Sequence, residues 1–130
     1  MLDAQGMVAE CTGENIFMVK NGRVRTPPDA NILNGLTRQS LIELAPEIGH
    51  PVEEAPVSRD QLYAADEVFV SGTAAEVIGL REIDFRTVGT GRTGPVTQAF
   101  QRAYQAIVRG EHRLSARWLT EVHPAAAAVG

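Results

Sequence analysis

Three short stretches hold the residue types that could grip a ligand: Gly-Leu-Thr at 35–37, Ser-Gly-Thr-Ala-Ala at 71–75, and Glu-Cys-Thr-Gly-Glu-Asn at 10–15. The first two each pair a glycine with a threonine. Such a pair lets a ligand approach backbone N–H groups and adds a hydroxyl donor for an anion. If residues 35–37 open a helix, its free N–H groups and dipole favour phosphate, and two such loops can share one phosphate. Glu10 adds a carboxylate beside Thr12 and Gly13, suited to a cationic or protonated ligand atom. Each feature alone has a plainer reading. Glycine before threonine at a helix start is commonly a cap, an acid such as Glu10 or Glu14 in a turn is commonly solvated, and Asn15 could be a local cap. The signal lies in the combination.

Other chemistries fall away on spacing. No lysine follows Gly35 where a P-loop needs one. Ser71 lacks the glycine two places before it that a nucleophile elbow requires. His50, His112 and His123 share no metal-ligand spacing with one another or with Cys11. The chain has a single lysine, Lys20, at the turn of an Asn-Gly hairpin, where a Schiff-base lysine would not be desolvated.

The candidate loops need elements to hold them. Residues 15–19 and Val24 flank Asn21-Gly22, the strongest short hairpin signal, and residues 7–9 read as a preceding strand. Thr26-Pro27-Pro28-Asp29 ends the hairpin. From Thr37 as N-cap, Leu41, Leu44, Ala45 and Ile48 recur at helical spacing, with Arg38, Glu43 and Glu47 on the opposite face. Pro46 should stop or kink that helix at Ala45, and Gly49 ends it. Residues 52–55 read as extended, and Ser58 with Gln61 as a capping box opening a brief helix through Tyr63. A strand over 67–71 breaks at Gly72, a second covers 77–83, and 84–91 is a turn and loop. Gly94-Pro95 starts a helix whose apolar face is Val96, Ala99, Phe100, Ala103 and Ile107, stopped by Gly110. A short terminal helix over 114–122 is expected to dock Trp118 and Leu119 on the body.

At 130 residues one domain with its own core is expected. Aromatics at 5% leave that core to Leu, Ile, Val and Ala. A net charge of −4 argues against nucleic acid as a partner, and Arg102, Arg109, Arg113 and Arg117 read as a solvated face. One cysteine allows no intrachain disulfide and points to a reducing, cytoplasmic setting. No apolar run reaches the length of a membrane span, and the N-terminus does not read as a signal peptide.

Three motifs in order, ECTGENIF at 10–17, LNGLTR at 33–38 and ADEVFVSGTAAE at 65–76, resemble the fold-type IV pyridoxal-phosphate enzymes. The resemblance is closest to branched-chain amino-acid aminotransferases and runs from Leu2 to about Val122. It implies an α/β fold of mixed helix and strand, with a mixed sheet curling into a partial barrel with flanking helices. This is the large, C-terminal domain of such an enzyme, assigned to residues 1–122, with 123–130 an alanine-rich, disordered tail. It implies pyridoxal 5′-phosphate as cofactor, with Glu10 holding the protonated pyridine nitrogen. Gly35, Leu36, Thr37, Gly72 and Thr73 would bind the cofactor, and Thr73 and Ala74 the substrate carboxylate. The implied reaction is transamination between branched-chain amino acids and 2-oxoglutarate by a homodimer.

By the same resemblance the family's catalytic lysine, its phosphate-binding arginine and its small N-terminal domain would lie upstream of Met1. No catalytic residue is therefore assigned, and the chain alone is expected to be inactive. The sequence departs from the family pattern at Cys11, where glycine is usual beside Glu10. Asn34 stands where proline is usual, and Phe85 where a turn glycine is usual. A D-amino-acid aminotransferase or aminodeoxychorismate lyase of the same fold, and a non-catalytic phosphate-ligand domain, remain as alternative readings.

Overall fold

A computed structural model describes residues 1–119, apart from the side chains of Asn31, Arg117 and Trp118. The expected alanine-rich tail and the docking of Trp118 lie outside the described residues. The fold is built on a five-stranded mixed sheet in the order β3-β2-β1-β4-β5. The central pair is β1 (Asn15–Lys20) and β4 (Glu67–Gly72), antiparallel and each carrying five consecutive buried residues. Such unbroken burial is what a strand covered on both faces requires.

The hairpin β1 to β2 (Arg23–Thr26) turns through Asn21 and Gly22, at φ 52° and 75°. Both positive φ values match the twist of the strands they join. β3 (Val52–Glu54) pairs parallel to β2 and forms one edge, and β5 (Glu76–Gly79) forms the other. Among the described residues no strand joins β3 to β5, so the mixed sheet expected from the resemblance is open.

One face is covered by α1 (Leu36–Leu44) and α3 (Pro95–Val108), which meet the sheet through Phe17, Val19, Leu41, Leu44 and Phe100. Phe17 and Phe69 pair across β1 and β4 with rings stacked 4.9 Å apart, and Phe100 leans on Phe69 at 5.1 Å. This ladder carries most of the aromatic area in a core otherwise aliphatic. The other face packs Ile16, Met18, Val68 and Val70 against Val57, Leu62 and Val88. These come from α2 (Arg59–Tyr63), its lead-in, and the connection that follows a two-stranded hairpin of β6 (Glu82–Ile83) and β7 (Arg86–Thr87).

Several expectations hold. The capping box forms in full, with Gln61 N–H on Ser58 Oγ and Ser58 N–H on Gln61 Oε1. Pro46 ends α1 at Leu44, where a 3₁₀ turn takes over until Gly49 at φ 78°. Arg102, Arg109 and Arg113 are exposed.

Others are corrected. Residues 7–9 form no strand beyond a single bridge from Leu2 to Val8. The strand expected over 77–83 ends as β5 at Gly79, where a side chain would press on Thr93 and Thr97 at 3.2–3.4 Å; Leu80 still donates its N–H to Val68 O at 2.7 Å before the chain turns into the β6–β7 hairpin. The N-cap of α1 is Gly35, not Thr37, which sits inside the first turn. Arg38 faces inward at 1% exposure: its two terminal nitrogens donate to Asn34, Pro27 and Glu54, while its buried Nε has no partner among the described residues. The short terminal helix is α4 (Ser115–Trp118), and Leu119 after it is exposed.

Candidate active site

Antiparallel pairing of β1 with β4 sets Asn15 directly opposite Ser71. The two loops singled out in the sequence, 10–14 and 73–75, therefore leave the sheet side by side. The first is a tight turn in which Cys11 and Glu14 exchange both backbone hydrogen bonds and Gly13 takes φ 79°. The second is a three-residue connection between Gly72 and Glu76, closed by Glu76 at φ 56°. A non-glycine residue there is a local cost of forming the turn.

Close approach explains two glycines. A Cβ on Gly72 would stand 3.0 Å from the Gly13 carbonyl oxygen and 3.2 Å from Glu14 Cγ. A Cβ on Gly35 would stand 2.7 Å from Asn15 Oδ1. Both positions need the smallest residue because three loops converge on one point.

That point is a cavity of about 220 Å³ lined by Glu10, Gly35, Leu36, Thr37, Gly72 and Thr73, together with Met1, residues 11–15, Leu33 and Ser71. Every expected site residue except Ala74 is thus brought to one place. Ala74 is exposed at the turn, one peptide beyond Thr73. A cleft of about 540 Å³ lies elsewhere and one of about 590 Å³ adjoins the cavity through Met1 and Cys11; neither contains any of the expected site residues.

The start of α1 opens on this cavity. Its N-cap, Gly35, supplies no side-chain acceptor, and the first intrahelical donor to reach back is Gln39 N–H, to Gly35 O at 3.0 Å. The N–H groups of Leu36 and Thr37 precede it and have no carbonyl within the helix to accept them. Thr37 is buried, Thr73 is exposed, and Leu36 is 80% exposed beside them. Among the described residues, no lysine or arginine lines the cavity.

Glu10 is fixed by one carboxylate oxygen, Oε2, which accepts the Leu33 N–H at 3.2 Å. The other oxygen is left for a ligand donor. Cys11, beside it, is half-buried, and burial pushes its thiol pKa up. The N-terminal ammonium opposes that shift, while Glu14 and Glu10 reinforce it.

Two contributors were not legible as site residues. Asn15 is not a local cap: it is 5% exposed and its Nδ2 donates to Leu33 O at 2.7 Å, eighteen residues away. Its position at the first residue of a buried strand, after a polar loop, was the only signal for it. Ser71 is fully buried and among the described residues its Oγ has no partner, an uncommon state for a buried hydroxyl.

Lys20 ends β1 at the opposite end of the sheet, about 17 Å along the strand from Asn15 at the usual rise per residue. Its ammonium donates to Ala64 O at 2.9 Å and pairs with Asp66 at 3.6 Å. It is no part of the cavity. Among the described residues there is no cluster of metal-ligating side chains, and no helix is long and apolar enough to cross a membrane.

Known proteins share this arrangement over most of the chain. It is 48% identical over 122 residues to the branched-chain-amino-acid aminotransferase of Pseudomonas aeruginosa, covering 94% of this chain and 40% of that one. With the Escherichia coli K12 enzyme of the same name the identity is 46% over 123 residues, with the same coverage. The chain thus spans about 40% of the length of the curated relatives it matches. Its fold superposes at a TM-score of 0.91, with 42% identity, on a T.th. branched-chain amino acid aminotransferase complexed with N-(5′-phosphopyridoxyl)-L-glutamate, covering 95% of this chain and 42% of that one. Residues 1–83, which hold all three cavity loops, match the family described as amino-transferase class IV, and the chain belongs to that family.

Proposed function

We propose that this chain is the cofactor- and substrate-binding part of a pyridoxal 5′-phosphate-dependent transaminase, acting between branched-chain amino acids and 2-oxoglutarate. The observation that carries the reading is the convergence of an acid, an uncapped helix start and a Gly-Thr turn on one cavity. The donor set fits the cofactor. An uncapped helix N-terminus favours a phosphate dianion, and a carboxylate with one free oxygen suits a protonated ring nitrogen. When bound, the cofactor would supply an electron sink for removal of the amino acid's α-proton.

The chain's own residues then have separate tasks. The Leu36 and Thr37 N–H groups and the Thr73 hydroxyl hold the phosphate. Glu10 Oε1 would accept a hydrogen bond from the protonated ring nitrogen and so keep that atom charged. The Thr73 and Ala74 N–H groups would receive the substrate carboxylate, so the turn at 73–75 would serve both phosphate and substrate. Gly35 and Gly72 let the three loops close to this spacing. No residue of this chain is assigned the covalent role, and the cation that neutralises the phosphate is not among the lining side chains. On the lining residues of this chain the cationic group is the Met1 ammonium, which donates to Glu10 O at 2.6 Å, and both missing functions are assigned to other parts of the transaminase. The transaminase containing them is taken to be a cytoplasmic homodimer with this chain as its C-terminal domain.

A chimera tests the reading. This chain is exchanged for the matching 40% of the Escherichia coli relative and assayed with leucine, isoleucine and valine against 2-oxoglutarate. Turnover is expected, with loss of at least tenfold on Glu10→Gln and on Thr73→Ala, in line with removal of a charge-assisted hydrogen bond. A folded chimera that binds pyridoxal 5′-phosphate but turns over only D-amino acids would move the chain to the D-amino-acid branch of the fold. One that binds no cofactor would overturn the proposal.

A further inference from the structure

The turn at 33–35 is held from both sides. Toward the sheet, Asn15 Nδ2 donates to Leu33 O at 2.7 Å and the Leu33 N–H donates to Glu10 Oε2 at 3.2 Å. Within the turn, the Gly35 N–H reaches Leu33 O at 3.0 Å, a three-residue turn centred on Asn34. Toward the helix, Arg38 Nη1 donates to Asn34 Oδ1 at 2.7 Å and Gln39 Nε2 to Asn34 O at 3.1 Å. Arg38 is itself immobilised. It is 1% exposed, and its Nη2 donates to Pro27 O at 3.0 Å and to Glu54 Oε1 at 2.7 Å. Its buried Nε has no partner among the described residues, so the three bonds from the two terminal nitrogens are what hold it, and the planar fork fixes those three acceptors together.

We infer that Arg38 is a positioning residue for the anion-binding turn, acting through the exposed Asn34 side chain to keep the Leu36 and Thr37 N–H groups aimed into the cavity. The inference rests on the proposed function, because it takes the ligand's phosphate as the group those N–H donors serve. The reasoning is geometric. Leu36 follows the turn directly, so any rotation about Asn34 swings the first N–H groups of α1. Arg38 lies on that helix two residues after Leu36 and reaches back over the turn, which closes a short ring of backbone and side chain around the donors. Arg38 does not line the cavity and is given no contact with ligand.

Asn34 makes the role separable from folding. Its side chain is exposed, its φ is not positive, and among the described residues its N–H makes no backbone hydrogen bond. Proline there would lose no donor, and its fixed φ near −65° suits the centre of such a turn. Proline therefore restores stiffness without the bond to Arg38, and alanine restores neither.

The test measures binding of pyridoxamine 5′-phosphate and of pyridoxamine to the full chain by calorimetry, for the natural sequence, Asn34→Ala, Asn34→Pro and Arg38→Met. Asn34→Ala is expected to weaken pyridoxamine 5′-phosphate about tenfold, the scale of one charge-assisted bond, and to leave pyridoxamine unchanged. Asn34→Pro should recover the natural affinity within about twofold, since it supplies the same order by another route. Arg38→Met should match Asn34→Ala in lost phosphate preference, whatever it does to the melting temperature. In the unliganded chain, amide exchange at Gly35 and Gln39, whose N–H groups bond Leu33 O and Gly35 O, should quicken in Asn34→Ala and not in Asn34→Pro.

Equal weakening of both ligands, or unchanged exchange at those two amides, overturns the inference. If the natural chain does not prefer the phosphorylated ligand, the proposed function fails at this site and the inference falls with it. That result is visible before any variant is made.

Discussion

Gly35 and Asn15 illustrate how little space the site leaves a side chain. A Cβ at position 35 would lie 2.7 Å from Asn15 Oδ1, so Gly35→Ala must push the Asn15 amide away from Leu33 O. The expected cost is about 1–3 kcal/mol, that of disrupting a buried hydrogen bond, read as a lower urea midpoint. An unchanged midpoint would mean that the amide can swing clear. Cys11 gives a pH-dependent readout beside Glu10. Burial raises its thiol pKa, so at a given pH less thiolate is present in the folded chain than in the unfolded one. Its rate of alkylation by iodoacetamide should rise at higher pH in the folded chain, and urea should bring the curve back down. The folded state holds this proton more tightly. The associated stability is thus present below the unfolded pKa and declines as pH rises through the folded one. Glu10→Gln should shift the curve toward lower pH. Glu10, Gly35, Thr37 and Thr73 were legible in the sequence because their types announce acids, close approach and hydroxyl donors. Asn15 was not, because its partner is Leu33 O, and only the fold sets those two side by side.

At the scale of elements, the start of α3 is held by a strand. Glu67, the first residue of β4, is buried at 8% exposure and accepts the Thr97 N–H at 2.8 Å and the Val96 N–H at 3.2 Å. Gly94, the N-cap, has no side chain to offer, and a Cβ there would lie 2.2 Å from Glu67 Cδ. The strand thus supplies the cap that the helix lacks. Glu67→Ala is expected to lower stability by about 2 kcal/mol, through two buried N–H groups left without an acceptor. Gly94→Ala should cost a similar amount by displacing the same carboxylate, and the double variant should cost less than the sum. An additive result in urea titration would show that the two act separately. Sequence pattern found α3 from Gly94-Pro95 and its apolar face, since those signals are local. The cap was invisible because Glu67 lies twenty-nine residues before Val96. The same limit explains Arg38: helical spacing put it on the polar face, whereas Asn34, Pro27 and Glu54 give the two terminal nitrogens of its buried guanidinium their acceptors.

For the whole molecule, strand direction separates binding from covalent chemistry. β1 carries Asn15 at the cavity and Lys20 at its other end, tied to Ala64 and Asp66. The chain, mixed with pyridoxal 5′-phosphate and treated with borohydride, should carry no covalent label at a defined site and should not transaminate leucine. Mass spectrometry of a digest checks the first and a coupled assay the second. Stoichiometric labelling of Lys20 with turnover would contradict the topology. The sequence by itself determined the residue types of the site, the hairpin at Asn21-Gly22, the stop at Pro46 and the lack of a second lysine, because each depends on neighbours along the chain or on composition alone. Tertiary structure alone decided that residues near 10, 35 and 72 share one cavity, that Asn15 and Arg38 hold the turn between them, and that the sheet stays open. Those depend on which strands pair and in what register, and the energy of pairing comes from contacts between residues far apart in sequence.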